Sequence, residues 1–328
     1  MIRPASAANG PVPRPVQFPY IWGDALDELA RLAPDARIVN LETSITGSDD
    51  CWPGKEIHYR MHPANVGCLT SAGIDVCALA NNHALDFGHT GLRETLGTLT
   101  RARIKVAGAG LSLAEAREPA LVDIAGAGRL VVFAFGDETS GIPASWMAAG
   151  DHPGIDLLPD LSEATARAIL ERLGRVKRSR DIVVASIHWG SNWGYEVPQT
   201  QQRFAHWLLD GGVDIVHGHS SHHVRPIEIY RDKLILYGCG DFLDDYEGIA
   251  GYEEFRDDLT AMYFPTVELA TGRLRSLRLT PMQIRSFRVT RATPADAGWL
   301  AKTVDRVSRP FGARVEPTAD GGLAVHHA

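Results

Sequence analysis

Short apolar runs alternate with stretches of helical periodicity along most of the chain, a pattern that predicts a buried, largely parallel sheet with helices between its strands. Residues 37–41 (RIVNL) read as a buried strand and 74–80 (IDVCALA) as a second. The clearest β runs are 130–135 (LVVFAF) and 182–187 (IVVASI), followed by the shorter 213–216 and 234–237. Helical patterns cover 63–71, with Pro63 suited to a first turn, and then 90–100, 161–176 and 201–209. From about Met262 the pattern changes. MYFPTVEL and RLRSLRLTPMQI alternate apolar and polar positions on either side of Ala270-Thr271-Gly272. That is a hairpin signal and predicts a second sheet or an antiparallel edge.

The ends read differently. Residues 1–19 hold Pro4, Pro11, Pro13, Pro15 and Pro19, which exclude a regular helix or a central strand and predict a linker or an exposed arm. Asp24 is placed to cap a short helix over 25–32. Residues 294–307 read as a closing helix, and the tail beyond Gly312 carries little core signal. The expected organisation is an arm over 1–19, a main α/β domain over 20–290, and a C-terminal helix and tail over 291–328.

Composition narrows the classes. With 45% apolar and 22% charged residues in 328, the chain is an ordinary globular one with a sizeable core. A formal net charge of −7 argues against nucleic acid as a partner. It leaves room for an anionic small molecule or polymer received by a few local cations or a metal. Cys51, Cys68, Cys77 and Cys239 show no short paired spacing and read as mostly buried thiols of a reducing compartment. No run approaches the ~18 apolar residues of a membrane span. The N-terminal residues lack the apolar core of a signal peptide, so the expectation for the sequence as it stands is a cytoplasmic protein.

The chemistry gathers at strand ends. RIVNL runs into Glu42, IDVCALA into Asn81-Asn82-His83, IVVASI into His188, and VDIV into His217-Gly218-His219, with His222 and His223 just after. In open α/β sheets, ligands bind at the carboxyl ends of strands. Carboxylate, amide and imidazole together suit Zn, Mn or Fe. Each residue also has an ordinary reading: Glu42 as a strand-end ion pair, Asn81 and Asn82 as turn residues, His188 as a buried hydrogen-bonded histidine. His217 and His223 read as structural groups behind the ligands.

The segments NLETSIT, ALANNHALDFG, SIHWGSNW, GVDIVHGHSSHH and LYGCGDF resemble, in order, the motifs of CapA-type poly-γ-glutamate capsule synthesis proteins, which are related to the calcineurin-like metallophosphoesterases. The resemblance covers roughly residues 20–290. It implies a four-layer αββα sandwich of two mixed sheets with a dimetal site at one sheet edge. It also implies Glu42 as the bridging carboxylate, Asn82 as the amide ligand, and His188, His219 and His222 as imidazole ligands of one or two divalent ions. By the same resemblance His83 protonates a leaving group. Arg60, in HYRMHP, is the candidate for orienting an anionic group, with a surface role as its alternative. Asp241 stands where the family carries Asn, and either reaches the site rim or caps a turn. Trp189, Trp193 and Tyr195 either wall a cleft or serve as packing.

One family motif has no counterpart: an apolar strand ending in Gly-Asp before Glu42. The expectation is a fold lacking its first strand and a metal site short of one carboxylate, with any export or anchor segment gone along with it. Two functions follow. One is a metal-dependent hydrolase acting on a phosphoester or anionic polymer. The other is a non-catalytic accessory component of a capsule-synthesis membrane complex with an incomplete metal site. A serine or cysteine nucleophile is disfavoured, since no Gly-x-Ser-x-Gly elbow occurs.

Overall fold

A computed structural model describes residues 2–4 (backbone only), 9–126 and 128–327. Its contacts divide the chain into two compact units. Unit I comprises Asp35–Gly190 and Pro198–Ser220; unit II comprises Met1–Pro34, Ser191–Val197 and Ser221–Ala328. The fold is mixed α/β with several separate sheets.

In unit I, three short strands, β1 (Ile38–Asn40), β2 (Val76–Ala78) and β3 (Lys105–Ala107), form a parallel sheet in that order. A second set has the order β4 (Ala120–Ile124), β5 (Gly128–Gly136), β6 (Ile182–His188), β7 (Ile215–His219). Strands β5, β6 and β7 are parallel, and β4 is an antiparallel neighbour of β5. Every residue of β6 is buried, which is why its sequence is apolar from Ile182 to Ala185 rather than alternating. The helix Glu163–Val176 starts where Ser162 Oγ accepts the Thr165 N–H, and it buries Ala166, Ile169 and Leu173 on one face. The expected helix over 63–71 is two pieces, a 3-10 turn Pro63–Asn65 and an α-turn Gly67–Ser71.

In unit II the hairpin lies where the alternation placed it. β10 (Leu259–Val267) and β11 (Leu274–Ile284) pair antiparallel from Leu259↔Gln283 to Val267↔Leu274. They follow a smaller hairpin, β8 (Ile227–Tyr230) with β9 (Lys233–Leu236). The closing helix is Pro294–Ser308, with Thr293 accepting the Asp296 N–H at its start.

Two expectations are corrected. The tail beyond Gly312 belongs to a sheet: β12 (Ala313–Pro317) and β13 (Leu323–His327) pair with each other, and β13 pairs with β11. Ala313, Val315, Leu323 and Val325 are buried. A five-residue strand shows only two or three inward positions, too few for its period to stand out. Asp24 is not the helix cap. Gly23 occupies that position at φ 45°, the helix is Asp24–Leu32, and Asp24 Oδ2 accepts the Arg291 N–H at 2.9 Å. Within the proline-rich segment, Ile2–Pro4 pairs antiparallel with Tyr246–Ile249. Pro4 is the last residue of that short strand, where its missing N–H interrupts no longer ladder.

Candidate functional site

The parallel register of β6 and β7 sets Ser186 opposite His217 and His188 opposite His219. Successive side chains alternate across a strand, so all four project from one face. They form a chain of contacts. His188 Nδ1 and His219 Nδ1 are 2.8 Å apart, while Ser186 Oγ lies 2.9 Å from His219 Nε2 and 3.0 Å from His217 Nδ1. His188 and Ser186 are fully buried, and His219 nearly so. Burial pushes the His219 imidazole well below its ordinary range, reinforced by His188 and His217 beside it. It pushes His217 down to about 4. Both shifts favour the neutral ring, which carries one N–H and one lone pair.

The other nitrogen of His188 meets the ends of β1 and β2. His188 Nε2 is 3.1 Å from Asn82 Oδ1 and 3.7 Å from Glu42 Oε1. The tandem asparagines divide their work. Asn81 is buried and knits the strand ends together: its Nδ2 donates to Asn40 Oδ1 and to the Leu41 carbonyl, both at 2.9 Å, while its Oδ1 accepts the His83 N–H. Asn40 Nδ2 in turn donates to Glu42 Oε2 at 2.8 Å. Asn82 is left to present its amide oxygen to His188. Beyond β7, Ser220 adopts φ 111° with its hydroxyl bonded to the Gly190 carbonyl at 3.2 Å. A non-glycine residue holds such a conformation only where its surroundings fix it.

His83 sits in a cluster of its own. Its Nδ1 is 2.7 Å from Asp86 Oδ2 and 3.0 Å from Lys55 Nζ. Asp86 is fully buried, pairs with Lys55, and accepts the Tyr59 N–H at 2.6 Å. Lys55 also donates to the Asn82 carbonyl at 2.6 Å. Burial pulls the Lys55 pKa down, against the opposing pull of Asp86 and Glu42.

Glu42, Asn82, His188 and His219 are thus brought together in unit I, with His83 next to Asn82 in sequence. Arg60 is exposed, bonded to Asp49 Oδ1 at 2.7 Å and to the Ser48 carbonyl, with its guanidinium 4.9 Å from the Phe87 ring. His222 belongs to unit II. Its Nδ1 lies 2.9 and 3.1 Å from the two carboxylate oxygens of Asp241, which also accepts the Tyr246 hydroxyl at 2.8 Å. Trp193 stacks on Tyr252 at 4.1 Å in unit II, and Trp189 is fully buried in unit I. Three residues of the unit I site went unnoticed in the sequence. Ser186 carried a signal, since it stands two before His188 and shares its face. Asp86 stands three after His83 inside a recognised motif. Lys55 carried none.

Among the described residues no three His, Cys, Asp or Glu side chains group as a metal-ligand set. The set that converges draws one donor from an amide. Ligands sharing an ion at about 2.0–2.2 Å stand roughly 3 Å apart, and the Asn82–His188 separation of 3.1 Å has that spacing. Carboxylate, amide and neutral imidazole fit a divalent transition ion by donor chemistry. No helix among the described residues is long and apolar enough to cross a membrane.

Comparison with known proteins gives a consistent picture. The family model described as bacterial capsule synthesis protein matches residues 2–246. A probable polyglutamine synthesis accessory protein of Mycobacterium tuberculosis is 46% identical over 325 residues, covering 99% of this chain and 86% of that protein. The PGA biosynthesis protein CapA of Bacillus subtilis is 31% identical over 241 residues, which is 74% of this chain and 58% of that protein. A solved structure from Thermus thermophilus, covering 81% of this chain and 96% of that one, shares 14% identity at a TM-score of 0.38, too loose to bear on the fold. The chain belongs to the bacterial capsule synthesis protein family.

Proposed function

We propose that this chain is a metal-dependent hydrolase-like protein of capsule polymer synthesis, acting on a phosphoester or an anionic polymer through Glu42, Asn82, His188 and His219. The observation that carries the reading is the approach of Asn82 Oδ1 and Glu42 Oε1 to the same nitrogen of His188. One or two divalent ions, Mn, Zn or Fe, would be held there, lowering the pKa of a bound water and neutralising charge on a phosphoryl or carboxyl oxygen. Asp86 fixes His83 through Nδ1, so Nε2 is the nitrogen placed to protonate a leaving group. Lys55 anchors the Asn82 backbone and balances the charge of Asp86. An anion recruited by Arg60 has to displace Asp49 first. The αββα layering belongs to this reading as its finer architecture.

A second reading is favoured by a specific observation. The acidic and imidazole side chains alone do not make up a metal site among the described residues, and the Mycobacterium relative is named an accessory protein. In that reading the chain supports a capsule-synthesis membrane complex without catalysis.

The test is metal content by elemental analysis of Mn-loaded wild type and His188→Ala, with hydrolysis of a phosphodiester and a phosphomonoester measured on the same samples. One or two equivalents in wild type, lost in His188→Ala together with hydrolysis, support the enzyme. Folded wild-type protein that retains no metal and hydrolyses neither ester sinks it in favour of the accessory role.

A further inference from the structure

We propose that Arg225 is the seat of a carboxylate-binding site built wholly from unit II, with the Tyr195 hydroxyl as its second donor. The site lies outside the hydrolase reading and stands whether or not unit I holds a metal.

Arg225 is 2% exposed, and its guanidinium makes one hydrogen bond among the described residues, to the Glu196 carbonyl. Its Nε and Nη1 are buried with no acceptor among those residues. Burial draws the Arg225 pKa down to about 10, with no acidic neighbour opposing it. The group is still a cation at neutral pH, and a buried cation without a counter-charge is costly. Its stem is held in place. The Arg225 N–H donates to the Gly238 carbonyl at 2.9 Å, and a Cβ at Gly238 would come within 2.8 Å of Arg225 Cδ.

The two nitrogens are not the only unpaired atoms there. Tyr195 Oη and His223 Nε2 are also buried without partners among the described residues, and the two rings stand 4.9 Å apart, edge to face. Arg225 is near enough for its charge to act on His223. Four of the ten such atoms among the described residues thus gather in one place, so the deficit belongs to a site. Its walls are aromatic. Phe255 stacks on His223 at 4.5 Å, Trp193 lies 5.9 Å from the same ring, and the Arg306 guanidinium sits 5.1 Å over Tyr195.

One guanidinium and one hydroxyl match the two oxygens of a carboxylate, and the aromatic walls suit an apolar stem behind it. A phosphate has three free oxygens to satisfy and finds too few donors. None of the unpaired atoms lies open to solvent, so a ligand enters only as one side of the site moves. That side is the segment 191–197, whose Glu196 carbonyl occupies the third guanidinium nitrogen. Glu196 is exposed, and Gly194, at φ 103° with open space where a Cβ would stand, gives the segment a pivot. An entering carboxylate replaces that carbonyl and supplies the missing charge.

The test titrates the full chain with butyrate, a carboxylate on an apolar stem, and separately with inorganic phosphate. Binding is read from the Arg225 Nε–H resonance, identified by its absence in Arg225→Lys, and from the indole N–H resonance of Trp193 in wild type and variants. Butyrate is expected to shift both saturably, with phosphate at least about 10-fold weaker. Arg225→Lys keeps the charge without the planar donors and should weaken butyrate binding by about 10–100-fold. Tyr195→Phe keeps the ring and should weaken it by about 2–10-fold; it decides the matter if Arg225→Lys does not fold. Resonances that butyrate leaves in place mean that buried water serves these groups, which overturns the site. Unchanged affinity in the folded variants overturns it too, as does phosphate binding as tightly as butyrate. Metal content of unit I is untouched by any of these results, so failure here is separable from failure of the hydrolase reading.

Discussion

The polar cluster at the strand ends of unit I and the acidic segment 241–258 of unit II respond to burial in opposite ways. At the strand ends of unit I the groups that burial shifts are imidazoles, His217 and His219, and their pKa values fall. In unit II they are carboxylates. Burial holds Asp244 well above the ordinary carboxylate range, raises Glu247, and pushes Asp257 up to about 6, with neighbouring acids adding to the shift. Both clusters are driven toward neutrality. For an imidazole, neutrality means a lone pair that a metal can use. For a carboxyl, it means a bound proton that blocks the same use. The same desolvation that makes the unit I cluster a donor set therefore gives unit II a pH response.

The contrast can be broken most sharply at Lys55. The Asp86 carboxylate of unit I is fully buried, and Lys55 balances it. Lys55→Met leaves Asp86 buried without its cation, the situation of the unit II acids, and should cost about 3–5 kcal/mol of stability in urea denaturation. An unchanged midpoint would mean that the His83 and Tyr59 contacts alone satisfy the carboxylate.

Asp257 sharpens the comparison from the other side. Its folded pKa of about 6 lies above the ordinary carboxylate value, so the folded state binds the proton more tightly than the unfolded state. The contribution of this group to stability therefore rises as pH falls through about 6 and levels off near the unfolded value of ~4. Asp257→Asn should flatten that rise in melting temperature between pH 7 and pH 4.5. A pH profile identical to wild type would show that the carboxylate titrates normally.

The smallest effect is expected at Asp244. Its Oδ2 is buried without a hydrogen-bond partner, while Oδ1 accepts the Tyr246 N–H at 3.1 Å. Asp244→Asn keeps the shape and removes the charge, so it should raise the melting temperature slightly at pH 8 and less at pH 5. A lower melting temperature at both would assign the carboxylate a partner that its present contacts do not supply.

Much of this was legible in the sequence, and the division follows a physical line. Local periodicity fixed the long elements: the largely apolar run of β6, the alternation of β10 and β11, and the helix Pro294–Ser308. Alternation also put Ser186 on the face of His188 and His217 on that of His219, because the period of a strand is a property of its own backbone. The same local signal was too weak in the five-residue strands of the tail, and it misplaced the cap at Asp24 by one residue.

Which residues meet was decided only by the tertiary structure. Register across β6 and β7 paired Ser186 with His217 and His188 with His219. The approach of β1 and β2 separated Asn81, which ties backbone, from Asn82, which faces His188. Lys55 reached Asp86 across 31 residues, Arg60 went to Asp49, and His222 went to Asp241 in unit II. Such pairings depend on chain closure over distances that no local pattern encodes. The sequence determined which donors stand at the strand ends, and the packing of those strands determined which of them share a nitrogen, a proton or a charge.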